Sequence, residues 1–479
     1  MKLLCISNGH GEDVIAVRIL SAIAQLDPTI QISALPLSGT GGAYLASGIS
    51  LIGPVQALPS GGFLNQDPKQ LVRDVQKGLL SLTRQQFSAV KTWVADSDQP
   101  VNILAVGDIV PLMFARLSKA TYHFIGTAKS EYWLRDERGK LPTTGFFGKF
   151  KGWSGSVYLP WERSLMSSDR CKSILVRDAF TAQQLQKLGI DAEYAGNPMM
   201  DNLAPTHKLK PWLTHLCQPS TAQPLPSSST QPSAQANSTQ ANSAQANSAQ
   251  ASSAQANRAT ALYVTSKQHP TQPLSIVLLP GSRQPEAYEN WSRILLSIPS
   301  LIEHFPNRPL ILLGAIAPSL STTKLSTPLL QANWSKTDWS KTDRSTPAFA
   351  QPYPVFTHQN VTLLLVDDAY SDCLHQADLA IATAGTATEQ FVGLGKPAIT
   401  LPGPGPQFTL TFATVQARML GPSIQIIETP ANVGEAIKKI ISDPDRLQLI
   451  YQNGTHRMGT AGAGKRIAQK ILDRMKHAK

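Results

Sequence analysis

The chain has 479 residues, with 43 Lys and Arg against 32 Asp and Glu for a net charge of +11, and 42% of it is hydrophobic. That hydrophobic share excludes a wholly disordered protein, and no uninterrupted apolar run approaches the roughly 20 residues that a membrane-spanning helix needs. Four cysteines with no Cys-x-x-Cys pair exclude a disulfide framework and a cysteine zinc site and fit a reducing cytosol. The basic excess leaves nucleic acid, an anionic membrane and a phosphorylated substrate as partners to be separated by where the charge sits.

In chain order, the start meets acid at Glu12 before any signal-peptide core can form, so it reads as a first strand. Strands are predicted at 3–7, 30–36, 101–106, 121–125, 173–176 and 192–195, with helices at 11–26, 68–94 and 179–188 between them. Residues 204–272 and 318–353 are dominated by Ser, Thr, Gln, Ala, Asn and Pro. The first carries a five-residue repeat over 235–260, and the second duplicates Trp-Ser-Lys-Thr-Asp at 334 and 339. Neither period fits a helical or strand stripe, so both segments are expected to be disordered. Strands resume at 274–279, 309–313, 361–365, 379–382 and 398–401, again with helices between. This alternation predicts the fold class α/β, with two Rossmann-like domains whose parallel sheets are covered by helices and an interdomain cleft at the carboxyl ends of the strands. The expected plan is 1–203, a linker over 204–272, a second domain over 273–460 with its insertion at 318–353, and a basic C-terminal helix over 461–479 packing back toward the first.

Residues 275–283, Ser-Ile-Val-Leu-Leu-Pro-Gly-Ser-Arg, form a buried-type strand ending in a turn. Gly281 allows close backbone approach to an anion, Ser282 follows, and Arg283 supplies a planar cation suited to a diphosphate. A plain turn with a solvated Arg is the alternative. In 378–397 a second strand runs through Thr383-Ala384-Gly385-Thr386 into a helix whose first-turn N–H groups form another anion cradle. Glu389 and Gln390 follow one turn in, where Glu389 is placed to accept hydrogen bonds from ribose hydroxyls. Thr386 and Glu389 are equally explained as a capping box, and both readings stay open here.

Leu278-Leu-Pro-Gly-Ser-Arg-x-x-Glu286, followed about a hundred residues later by Ala382-Thr-Ala-Gly-Thr-Ala-Thr-Glu389, resembles lipid-A-disaccharide synthase, a UDP-sugar glycosyltransferase of the two-Rossmann-domain (GT-B) type. The resemblance spans most of the chain and is sharp in these two blocks. It implies that Gly281, Ser282 and Arg283 face the donor diphosphate with Gly385 and Thr386 opposite, and that Glu389 takes the ribose.

In the first half, strand 3–7 ends in Asn8-Gly9-His10-Gly11-Glu12-Asp13. Gly9 and Gly11 permit a tight turn near an acceptor, and His10 and Glu12 are candidate catalytic groups; an ordinary strand-to-helix turn is the alternative. Strand 101–106 ends in Gly107-Asp108, with Pro111 beyond, where the resembling family has an acid-rich segment. Asp108 is the first choice of general base and His10 the second. Gly196-Asn197-Pro198 resembles the family's Gly-His-Pro before its hinge, or is a turn without ligand contact.

Residues 129–177 hold ten basic and five acidic residues. Within them, Phe146, Phe147, Lys149, Lys151 and Trp153 suit a loop that meets anionic lipid. A base-stacking surface or a buried aromatic cluster would use the same residues; with no nucleic-acid motif elsewhere, no nucleic-acid partner is expected. The reading is a cytoplasmic enzyme, peripheral at the inner face of the membrane. It would transfer an N-acetylglucosamine-like sugar from UDP to a lipid-linked acceptor with inversion, needing no cofactor and no metal. The alternatives are a UDP-sugar 2-epimerase and a non-catalytic nucleotide-sugar or lipid binder. The sequence sets no oligomeric state.

Overall fold

The computed structural model describes residues 1–9, 11–56, 78–142, 154–216, 272–337, 353–403, 405 and 408–477. The chain divides into two compact units. Unit 1 comprises Met1–Leu203, Thr414–Gly421 and Thr455–Lys479; unit 2 comprises Ala204–Ala413 and Pro422–Gly454. Among the described residues no helix is long and apolar enough to cross a membrane.

Unit 1 is built on β1 (Lys2–Ser7), β2 (Gln31–Pro36), β3 (Ser50–Leu51), β4 (Val101–Gly107) and β5 (Thr121–Gly126), then a short antiparallel hairpin of β6 (Arg135–Asp136) and β7 (Gly139–Lys140), then β8 (Cys171–Val176) and β9 (Ala192–Glu193). Seven of these form one sheet in the order β3-β2-β1-β4-β5-β8-β9, with every pairing parallel. Its strands are apolar on both faces. Leu4, Ile6, Ile103 and Ala105 enter one core, while Leu3, Cys5, Leu104 and Val106 enter the other. Near-continuous apolar runs are what a parallel sheet buried on both sides demands.

The helix Ala463–His477 completes the second of these cores. Ile467, Ala468, Ile471, Leu472 and Met475 pack into the cluster that also holds Ile15, Ile19 and Ile23 of the helix Gly11–Leu26. One buried carboxylate fixes where it starts. Asp201 accepts from the N–H of Gly462 (2.6 Å) and Ala463 (3.0 Å) through Oδ1, and of Gly464 (2.7 Å) through Oδ2. These are donors that no carbonyl of the helix itself can satisfy. A Cβ on Gly464 would stand 3.0 Å from Asp201 Oδ2, so the close approach favours glycine. The outward basic residues are partly paired: Glu193 binds both Lys470 and Arg474. The Lys470 hydrogen bond, with Arg474 beside it, holds the Glu193 carboxyl below its usual range.

Unit 2 contains β10 (Leu274–Leu279), β11 (Leu310–Ala315), β12 (Ser335–Lys336), β13 (Val355–His358), β14 (Val361–Val366), β15 (Leu379–Ala382), β16 (Ala398–Thr400) and β17 (Ile424–Ile426). They form one sheet in the order β12-β13-β14-β11-β10-β15-β16-β17. The pairings are parallel except for β12 with β13 and β13 with β14.

Both low-complexity expectations need correction at their edges. Residues 204–216, placed in the linker by composition, are described within unit 2 and include the helix Lys210–Leu216. Asp372 accepts from the N–H of Thr206 (2.5 Å), His207 (3.0 Å) and Leu209 (3.1 Å), and the buried Trp212 packs on Tyr353 at 5.4 Å. The insertion expected over 318–353 likewise begins folded. Ser321 caps the helix Thr322–Gln331 through the N–H of Lys324, Leu325 and Leu329 are buried, and Trp334 stacks on His358. A few apolar side chains at helical spacing suffice against a preformed core, although the surrounding Ser and Thr mask them. The repeats over 235–260 lie outside the described residues.

Asp201→Ala should strip three N–H groups of their acceptor and cost about 2 kcal/mol. Hydrogen exchange should then show lost protection across the helix Ala463–His477 with the helix Glu286–Leu295 unchanged; equal protection in both proteins would contradict the capping role.

Candidate functional site

In open parallel sheets, ligands bind beyond the carboxyl ends of the strands where the strand order reverses. In unit 2 the chain moves outward from β10 through β11 and β14, then returns to the other side of β10 as β15 and continues through β16 and β17. The reversal therefore lies between β10 and β15, whose carboxyl ends lead directly into residues 280–283 and 383–385. Both motifs singled out in the sequence stand at that point.

The geometry ties these turns together. Thr383 donates its N–H to the carbonyl of Leu279 (2.9 Å), and Asn290 Nδ2 donates to the carbonyls of Pro280 (3.1 Å) and Thr383 (3.4 Å). Gly281 has φ of +93°, a conformation that costs other residues strain, and a Cβ there would stand 3.7 Å from the Thr383 carbonyl. Glu286 binds a third turn. Its Oε1 accepts from the N–H of Phe408 (2.9 Å), and a Cβ on Gly405 would come within 2.7 Å of it. Glu286 and Asn290 are one helical turn apart on the helix Glu286–Leu295 and both are buried. One helix face thus holds the turns that follow β10, β15 and β16.

Ser282 and Thr386 are exposed at this edge and Arg283 is half-buried. Gly385 is the N-cap of the helix Thr386–Gly393. Thr386 is therefore already inside the helix, and the capping box open to Thr386 and Glu389 is not formed, since that motif needs its hydroxyl at the N-cap. Glu389 and Gln390 are buried, and Tyr370 donates its hydroxyl to Gln390 Oε1 at 2.7 Å. Sequence reading missed Asn290, Tyr370 and Phe408. Asn290 falls at helix spacing after Glu286, but nothing in the sequence says that two distant carbonyls await it.

Unit 1 repeats the arrangement. Its order reverses between β1 and β4, and the carboxyl ends of those strands carry Asn8, Gly9 and Gly107-Asp108. Gly9 has φ of +117°, and a Cβ there would stand 2.2 Å from the Ser38 carbonyl, so no other residue fits. Gly107 lies against Asn8 and Glu12: its Cβ would be 3.1 Å from Asn8 Nδ2 and 3.5 Å from Glu12 Cγ. Asn8 and Glu12 therefore lie against the residue that precedes Asp108. Asp108 is also the N-cap of the helix Ile109–Leu117, with Oδ1 accepting the Val110 N–H at 2.9 Å. Beneath the turn, Ser7 Oγ donates to Asp13 Oδ1 (2.6 Å) and lies 2.6 Å from the Tyr44 hydroxyl, which in turn lies 3.7 Å from Cys5 Sγ. Burial pushes the Cys5 thiol up to about 12 and the Tyr44 phenol well above its ordinary value, so both stay protonated.

Gly11 opens the helix Gly11–Leu26. His10, Phe146, Phe147, Lys149, Lys151 and Trp153 lie outside the described residues. In the Gly196-Asn197-Pro198 segment, Asn197 Oδ1 accepts the Met199 N–H (3.0 Å), a local capping role.

No family model matches the chain, and no curated protein matches it. Solved structures do. A protein from Listeria monocytogenes, described as a UDP-N-acetylglucosamine 2-epimerase, aligns at 12% identity over 100% of this chain and 97% of its own, with a TM-score of 0.51. MurG of Acinetobacter baumannii aligns at 12% identity over 98% and 99%, with a TM-score of 0.49. The MnaA–UDP structure from S. aureus aligns at 11% over 99% and 97%, also at 0.49. At such identities the likeness to the first establishes the fold: α/β, two Rossmann-like domains of the GT-B type.

Asn290→Ala should leave the Pro280 and Thr383 carbonyls without their shared donor and lower the stability of unit 2 by about 1–3 kcal/mol. Faster hydrogen exchange in β10 and β15, with β1 and β4 unaffected, is the expected result.

Proposed function

We propose that the chain is a UDP-sugar glycosyltransferase related to lipid-A-disaccharide synthase. In this reading it moves an N-acetylglucosamine-like sugar from UDP to a lipid-linked acceptor, with inversion at the anomeric carbon. The observation that carries it is the tying of the turns at 280–283 and 383–385 by Asn290, at the reversal point of the unit 2 sheet.

The chemistry follows from those parts. The turn at 281–283 and the first-turn N–H groups of the helix Thr386–Gly393 receive the diphosphate, and Arg283 adds a bidentate cation. Stabilising charge that develops on the departing UDP is where preorganised donors lower the barrier most. Glu389 accepts from the ribose hydroxyls, and Gln390 is oriented by Tyr370. Asp108 is the proposed base, helped or replaced by His10 or Glu12, and takes the acceptor proton as its oxygen attacks. Asp108 spends Oδ1 on Val110, so Oδ2 is the oxygen assigned to the proton. The aromatic and lysine-rich residues Phe146, Phe147, Lys149, Lys151 and Trp153 are the proposed contact with an anionic membrane. They run on toward Trp161, which is 49% exposed.

A UDP-sugar 2-epimerase would use the same donor turns, and the Listeria fold match suits it equally. Products separate the two: the transferase leaves UDP and a glycosylated lipid after incubation with a UDP-sugar panel and membrane lipid extract, whereas the epimerase alters the UDP-sugar with no lipid present. For the donor site itself, Arg283→Ala should weaken UDP binding by about 10–100-fold in calorimetry, the loss of a charge-assisted contact. Undiminished affinity would remove Arg283 from the site.

A further inference from the structure

Asn290 does not hold the turn after β10 alone. Ser319 Oγ donates to the carbonyl of Ser282 at 3.3 Å, and Gln284 Nε2 donates to the carbonyl of Ser319 at 2.6 Å. The two residues that flank Arg283 are therefore both bound to Ser319. On the helix side, the Ala287 N–H donates to the carbonyl of Arg283 itself at 2.8 Å.

Ser319 is in turn anchored. It lies in the connection between β11 and the helix Thr322–Gln331. At one end of that connection Ile316 donates its N–H to the carbonyl of Val366 at 2.7 Å; at the other, Ser321 donates its N–H to the Tyr288 hydroxyl at 2.9 Å. Leu320, between Ser319 and Ser321, is buried. Tyr288 stands on the helix Glu286–Leu295, which also carries Glu286 and Asn290. Composition alone would have set residues 318–321 aside with the low-complexity stretch, so Ser319 had no signal in the sequence.

Ser282, Gln284 and Ser319 are exposed, and hydrogen bonds among exposed groups add little to stability because water competes for the same partners. What these bonds do set is direction. The Ser282–Arg283 peptide is trans, so its C=O and N–H point opposite ways. A Ser282 carbonyl drawn to the connection after β11 leaves the Arg283 N–H facing away from it. In the sheet, β11 and β15 flank β10 on opposite sides, and residues 383–385 follow β15. The second bond, from Gln284, restrains the chain on the far side of Arg283.

We propose that Ser319 and Gln284 are positioning residues of the donor site, holding Arg283 toward the diphosphate of the nucleotide. The inference rests on the reading of 280–283 and 383–385 as the diphosphate site and adds the residues that aim it. Their contribution is to the grip on the diphosphate and not on the nucleoside.

Binding of UDP by calorimetry and of uridine by NMR titration, on the full-length protein, tests this. Ser319→Ala and Gln284→Met each remove one donor at similar size. Each should weaken UDP about fivefold, the worth of roughly one net hydrogen bond, with uridine affinity and melting temperature unchanged. Ser319→Thr keeps the hydroxyl and should bind UDP as the unaltered protein does. Unchanged UDP affinity in both variants, or an equal loss for uridine, would overturn the positioning role. Arg283→Ala in the same series keeps the two readings apart. If it weakens UDP while Ser319→Ala and Gln284→Met do not, the positioning role alone falls. If it leaves UDP affinity intact, the donor site falls and the positioning role with it.

Discussion

A carboxylate and an amide one turn apart on a single helix set the shape of the carboxyl edge of the unit 2 sheet. Glu286 and Asn290 reach from the helix Glu286–Leu295 to the backbone of three separate turns. Loops at the ends of parallel strands have few ladder bonds to hold them, so their backbone groups must be paired by other means. Buried side chains that bridge two or three turns do this and also fix the distances between them. Close backbone approach depends on Gly281 and Gly405, where a side chain would strain the turn or collide with Glu286. An anion-binding floor made from backbone N–H groups is only as good as the rigidity of those turns.

Buried acids do comparable work elsewhere. Asp201 caps the helix Ala463–His477, Asp178 caps the helix Ala179–Gln186, Asp108 caps the helix Ile109–Leu117, and Asp372 gathers the N–H groups of 206–209. A chain with 43 basic residues and 32 acidic ones thus commits several of its carboxylates to the interior. The basic side chains of the helix Ala463–His477 stay exposed, whereas Lys129, Arg177, Arg308, Lys396 and Arg457 are buried. The double role of Asp108, as cap and as proposed base, gives a fixed orientation to the oxygen that would take a proton.

The sheets were legible in the sequence because parallel strands buried on both faces leave near-continuous apolar runs. The segments at 274–279 and 379–382 matched β10 and β15 to the residue, and the others differed by one or two positions at their ends. Strand order was not legible, although it is what brings 280–283 beside 383–385. Periodicity reports which face a residue takes, whereas neighbour choice depends on contacts a hundred residues apart. The same limit hid Asn290, whose partners Pro280 and Thr383 are defined only once β10 and β15 pair. It also made Thr386 and Glu389 look like a capping box, when the backbone places Gly385 at the cap. Composition erred in the opposite direction over 204–216 and 322–336. There Trp212, Leu325 and Trp334 anchor segments whose remaining residues resemble linker.

The central claim is that the turns after β10 and β15 act as one anion-binding floor, and titrating UDP into isotope-labelled protein tests it most directly. The account predicts that the amide resonances of Gly281, Ser282, Gly385 and Thr386 shift together along a single saturation curve. Shifts confined to one turn, or none at saturating UDP, would contradict it.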